Sequence, residues 1–186
     1  TFSEHCEDFL RPTIMHFRDI PQYPRAHYSV HVSLDYLASH VQGYEESYGF
    51  TMEPEYQRDH VWTMEQRTAY VEHVLMGGET GLEIIVNVEN FNKTSKAPGV
   101  AEVLDGKQRL TSLLMFMRDE VRAFGRLASE YEGKCRANIV WKVVDLNPIE
   151  TMRLYVMLNA GGTAHTKEEI DRVRALIAAK EQVSKP

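Results

Sequence analysis

Five residues in one unbroken run, Asp105-Gly106-Lys107-Gln108-Arg109, bring together a carboxylate, a glycine, a carboxamide and two cations. Glycine lets an anion approach the backbone closely. Lysine supplies a point charge, and arginine a planar fork that matches phosphate oxygens. Aspartate can hold a metal ion or accept a proton. No serine or cysteine nucleophile accompanies them, so the chemistry that fits is handling of phosphate rather than acyl transfer. An aspartate that merely caps a helix, with solvated basic neighbours, is the bland alternative for so short a string.

The run needs a seam between two elements to work in this way, and the flanking residues supply one. Val100 to Leu104 reads as a strand, and Leu110, Leu113, Leu114, Met117 and Val121 form an apolar stripe at helical spacing. Gly106, Lys107 and Gln108 therefore fall where a helix begins. The first amides of a helix have no internal partner and carry the positive end of its dipole.

Elsewhere the pattern predicts further alternation of strands and helices. Tyr28, Val30 and Val32 alternate as in a strand, and Leu34, Leu37 and Val41 begin a short helix that the turn-like GYEESYGF should end. Pro54, Tyr56 and Arg58 suggest extended chain. Thr63 with Gln66 forms a capping-box pattern, after which Val71, Val74 and Leu75 mark a helix stopped by Gly77 and Gly78. Leu82–Val88 and Ile139–Val144 read as strands. ENFNKTSKAPG reads as an exposed loop, while Asn147-Pro148 with Glu150, and Thr166 with Glu169, open the last two helices.

The bulk properties exclude several classes. The chain has 186 residues, 43% hydrophobic, with a net charge of -6, which suits one globular domain and argues against coating nucleic acid by net charge. No apolar run is long enough to span a bilayer, and the N-terminus has no leader pattern, so the chain reads as soluble and intracellular. Two cysteines make neither a disulfide framework nor a four-cysteine zinc site. His27 and His31 lie about 13 Å apart if on one strand, too far to share an ion. Arg118, Arg122 and Arg126 recur every four residues, and a continuous helix would turn them into a basic ridge able to touch DNA. Asp119 and Glu120 interrupt that ridge.

Two further polar clusters give the central run its context: PEYQRDHVW, residues 54–62, and NAGGTAHT, residues 159–166. In order, the three segments resemble the P-x-Y-Q-R-x-x-V-W, D-G-Q-Q-R-L-T and N-x-G-G-T-x-L-T motifs of the ParB/sulfiredoxin-like superfamily. The branch is that of the N-terminal domain of GmrSD-type (type IV) restriction enzymes. The resemblance covers roughly residues 28–175, leaving 1–27 as an N-terminal extension and 176–186 as a helix end and tail. Lys107 replaces the usual glutamine, and His165 the usual leucine. DGKQR also lacks the cysteine with which sulfiredoxins do redox chemistry.

The resemblance implies an α+β single domain with a small mixed sheet and flanking helices, whose motifs gather in one cleft that binds a nucleoside triphosphate, with Mg²⁺, and in several members hydrolyses it. By similarity, Asp105, Gln108 and Arg109 would be catalytic, with Asp105 positioning a metal or water. Gly106, Lys107, Gln57 and Arg58 would hold phosphates, and Asn159, Gly161 and Gly162 would complete the wall. Such domains work beside an HNH-type nuclease, whose motif this chain does not contain. The implied setting is the cytoplasm of a bacterial or phage-infected cell, with DNA and a separate nuclease domain or protein as partners. Arg118 and Arg122 are the candidate DNA contacts. The alternatives are a catalytically silent module that binds nucleotide, DNA or protein, and a phosphotransferase using the same cradle.

Overall fold

The computed structural model describes residues 24–54, 62–91, 97–160 and 167–183. The chain divides into two compact units, one of Ala26–Leu146 and a second that contains Asn147–Pro186.

The first unit is α+β. Strand β1 (Tyr28–Ser33) leads into helix α1 (Leu34–Tyr48), followed by α2 (Met64–Leu75), β2 (Glu83–Val88), β3 (Ala101–Asp105), α3 (Lys107–Met117) and β4 (Asn138–Val144). The four strands form a mixed sheet in the order β1-β4-β2-β3. β1 and β4 are antiparallel, β4 and β2 parallel, and β2 and β3 antiparallel. Alternation sends Ile84, Val86 and Val88 of β2 and Ile139, Trp141 and Val143 of β4 into the core. Leu34, Leu37 and Val41 of α1, Val71 and Val74 of α2, and Leu110, Leu113 and Leu114 of α3 join the same cluster. The α3 helix packs on both α1 and α2.

Asn87 is the buried polar exception on β2. Its side chain donates to the Leu146 carbonyl (3.2 Å) and accepts from the Leu146 amide (2.9 Å), extending the sheet past the end of β4 as a peptide group would.

Most expected elements form within one or two residues of their predicted ends, and α2 has the reciprocal Thr63–Gln66 capping box. Two expectations fail. The first helix is not short: α1 runs through Gly43 and buried Tyr44 to Tyr48, and ends only at Gly49, whose φ of 60° is left-handed. Tyr44 continues the stripe of Leu37 and Val41, and its burial outweighs the helix penalty of one glycine, roughly 1 kcal/mol. The third helix, conversely, stops early. It ends at Met117, Asp119 turns left-handed (φ 62°), and the Glu120 amide bonds back to the Met115 carbonyl. Val121 is still buried, but from beyond the helix. Arg118, Arg122 and Arg126 therefore do not form a ridge on one helix.

The second unit contains α4 (Pro148–Ala160) and α5 (Lys167–Val183), which pack on each other. Asn147 caps α4: its Oδ1 accepts from the Ile149 and Glu150 amides, and Glu150 accepts in return from the Asn147 amide. Among the described residues, no helix is long and apolar enough to cross a membrane.

Candidate functional site

The seam predicted between strand and helix is present, and its geometry explains the glycine. Between Ile85 and Val86 the β2–β3 register shifts by a bulge, which re-aims the end of β3 just before Asp105. Gly106 then adopts φ 93° and becomes the N-cap of α3. A Cβ there would come within 2.6 Å of Ile84 Cδ1 and 3.1 Å of the Glu83 carbonyl oxygen. Only glycine meets both the backbone angle and the close approach to β2. Asp105 does not cap the helix.

The side chains of the run separate into two groups. Asp105 and Arg109, one turn apart, form an ion pair of 2.6 Å. Arg109 lies beside Tyr70, and Gly81 is open enough for both to pass: an added Cβ would sit 3.8 Å from each. The Tyr70 hydroxyl donates to the Gly81 carbonyl (2.8 Å), and Trp62 meets the Tyr70 ring edge-on. Burial pushes the Tyr70 phenol up to about 12, against the opposing pull of the Arg109 charge.

Lys107 and Gln108 belong to the other group, which lines a cavity of about 410 Å³ within the first unit. Thr111 of α3 and Arg67 of α2 share that lining, and Glu45, Phe50, Thr51, Met52 and Glu53 contribute to the wall from the end of α1 and the segment after it. Lys107 Nζ lies 3.8 Å from Glu53 Oε1. The Gln108 side-chain oxygen Oε1 accepts from the Trp62 amide (3.1 Å) and from Arg67 (3.0 Å). It therefore ties the start of α2 to the start of α3, which makes Gln108 a positioning residue in this state.

Arg67 is the functional candidate that sequence reasoning missed. It is only 6% exposed, and its guanidinium donates to two neutral acceptors, Gln108 Oε1 and Ser112 Oγ. Among the described residues no carboxylate forms an ion pair with it. The signal was nevertheless present in the sequence: Arg67 stands four residues before Val71 and seven before Val74, on a stripe otherwise apolar.

The remaining expected residues fall as follows. Gln57, Arg58, Gly161 and Gly162 lie outside the described residues. Asn159 is in the last turn of α4, in the second unit, and its side chain also lies outside the description. Arg118 follows the end of α3, and Arg122 is bound to the Gly125 carbonyl and to Glu130 (both 3.1 Å) in an exposed turn. Among the described residues no three His, Cys, Asp or Glu side chains could together hold a metal ion. Asp105 Oδ2 is engaged by Arg109.

A small mixed-sheet α+β unit with a glycine-tight strand-to-helix seam and a cation-lined cavity is the class these observations define. A family model described as GmrSD restriction endonuclease, N-terminal domain, matches residues 37–150, more than half of the chain, and the chain belongs to that family. The match takes in α2, α3, most of α1, the sheet from β2 onward, and every described residue of the cavity lining. No curated protein and no solved structure matches the chain.

Proposed function

We propose that this domain binds a nucleoside triphosphate, with its phosphates in the cavity between α2 and α3, and that occupancy controls DNA cleavage by a restriction nuclease. The link to restriction follows from the family; the nucleotide reading rests on Arg67. A buried guanidinium costs several kcal/mol to desolvate, and neutral oxygens return only part of that. An anion entering the cavity supplies the missing partner. Lys107 adds a second cation and Thr111 a hydroxyl, while the start of α3 adds the positive end of its dipole.

Mg²⁺, in this reading, arrives on the phosphates of the nucleotide as part of the substrate. Arg109 is paired with Asp105 and is not among the cavity's lining residues, so in this reading Asp105–Arg109 is a latch that opens when the nucleotide loads. The same pair favours, as the second reading, a module that binds without turnover: while it is closed, the Arg109 charge makes Asp105 a weaker base. ParB-like hydrolysis belongs to the open latch.

The test is binding and hydrolysis of ATP, GTP, CTP and UTP with Mg²⁺, with and without DNA, for wild type, Arg67→Met and Arg109→Ala. Binding lost in Arg67→Met, with turnover lost in Arg109→Ala, is the expected pattern. Binding without turnover in wild type selects the silent module, and nucleotide affinity unaffected by Arg67→Met removes the cavity from the proposal.

A further inference from the structure

The cavity carries a second kind of wall that phosphate does not explain. Facing its contents from the end of α1 and the segment that follows are Glu45, Phe50, Met52 and Glu53. Glu53 has a cation near it in Lys107. Glu45 is different: its carboxylate makes no hydrogen bond or ion pair with any described residue. It also occupies the last turn of α1, where the helix dipole is negative and where that helix places no basic residue. Glu45 is exposed at the edge of the cavity, so its carboxylate is open to a ligand. Its neighbour Glu46 is already engaged by Gln42 on the same helix.

The wall beside Glu45 has the composition of a base platform. Phe50 and Met52 are half-buried and flank the cavity, giving an aromatic face and a polarisable thioether. Phe50 is held in place by Trp141, 5.7 Å away, and by Tyr44, 6.5 Å away. Glu45 lines the same cavity as this platform, so it is the carboxylate placed to meet the edge of a base laid there, and a carboxylate only accepts hydrogen bonds.

Among the four common bases, only guanine presents two adjacent donors, its N1–H and N2–H, to the two oxygens of one carboxylate. Adenine and cytosine offer one exocyclic amine beside an acceptor nitrogen, and uracil one N–H between two carbonyls. We infer that the cavity selects guanine, with Glu45 as the specificity-determining residue. This rests on the phosphate reading proposed above and deepens it.

The experiment is competition binding of GTP, ATP, CTP, UTP and xanthosine triphosphate to the full chain, as wild type, Glu45→Gln and Glu53→Gln. A carboxamide accepts one hydrogen bond and donates one, which matches xanthine, whose position 2 is a carbonyl. Wild type should prefer GTP by at least about tenfold, the ratio expected of one good bidentate pair. In Glu45→Gln that preference should invert toward xanthosine triphosphate, and in Glu53→Gln it should persist. Glu45 is exposed, so its substitution leaves the core intact, and a merely structural role would not invert a base preference. Equal affinity for all bases, or a GTP preference unchanged in Glu45→Gln, overturns the guanine assignment and leaves the phosphate reading standing. Inversion in Glu53→Gln instead overturns the role of Glu45, and failure of every nucleotide to bind overturns both proposals.

Discussion

Arg67→Met separates a ligand-binding arginine from a structural one, because the surroundings of Arg67 allow its charge to be removed cleanly. The guanidinium has two acceptors, and each keeps another partner when it is gone. Gln108 Oε1 still receives the Trp62 amide at 3.1 Å, and Ser112 Oγ still donates to the Gln108 carbonyl at 2.7 Å. Methionine replaces much of the aliphatic stem. What is lost is two charge-assisted hydrogen bonds, about 1.5–3 kcal/mol each; what is recovered is the desolvation of a buried cation, again several kcal/mol. The nucleotide-free variant should therefore match wild type to within about 1 kcal/mol.

With nucleotide the two should diverge. At a hundred times its Kd a ligand stabilises by ~2.7 kcal/mol, which raises the midpoint of a domain this size by on the order of 10 °C. Truncating one partner of a buried charge pair costs about 2 kcal/mol or more, roughly a thirtyfold rise in Kd. At the same nucleotide concentration the variant then gains only ~0.9 kcal/mol. Intrinsic tryptophan fluorescence is a suitable assay, since the two tryptophans of the chain, Trp62 and Trp141, both lie in the first unit. A variant that loses several kcal/mol without nucleotide would make Arg67 structural. One that keeps the full nucleotide shift would place the phosphates elsewhere.

The other predictions concern the seam and its surroundings. Gly106→Ala places a Cβ 2.6 Å from Ile84 Cδ1 at φ 93°, and should cost about 2–5 kcal/mol in denaturant unfolding; a midpoint near wild type would refute the tight seam. Tyr70 ionises near 12 when folded, against an ordinary 10.0, so folding disfavours its phenolate. Its contribution is complete below pH 10 and is lost as pH rises toward 12, and the 295 nm difference titration of wild type against Tyr70→Phe should show one phenol ionising late. Asp105→Asn weakens a pair that is partly exposed on the carboxylate side, so stability should fall by less than about 1 kcal/mol, while any nucleotide turnover should stop. Phe124, exposed with φ 49° between Ala123 and Gly125, occupies a turn that prefers Asn-Gly; Phe124→Asn should raise the free energy of unfolding, measured in denaturant, by about 0.5–1 kcal/mol.

What could be read from the sequence, and what could not, divides along physical lines. Strands and helix starts were legible because their signals are local: alternation in Ile139–Val144, the Thr63–Gln66 box, the Asn147–Glu150 cap. The end of α3 was not, because the stripe continues through Val121 and no glycine marks the stop. Asp119 takes the left-handed angle that a glycine usually takes, and the sequence does not announce that choice.

The site followed the same division. Asp105-Gly106-Lys107-Gln108-Arg109 was found because its residues are consecutive, but consecutive residues on a helix point in different directions. At 100° per residue Arg109 returns to the side of Asp105, while Lys107 and Gln108 face the cavity. The second wall comes from residues some 40 to 60 positions earlier, on α1, the segment after it and α2, which no linear motif connects to the first. Only Arg67 left a trace, as a charge where the α2 stripe required an apolar residue. A buried cation of that kind is expensive unless something else needs it, and in a cavity shared with Lys107 and the start of a helix the proposed partner is an anion. The arginine that broke the pattern, rather than the one that completed the motif, is therefore the residue on which the nucleotide proposal turns.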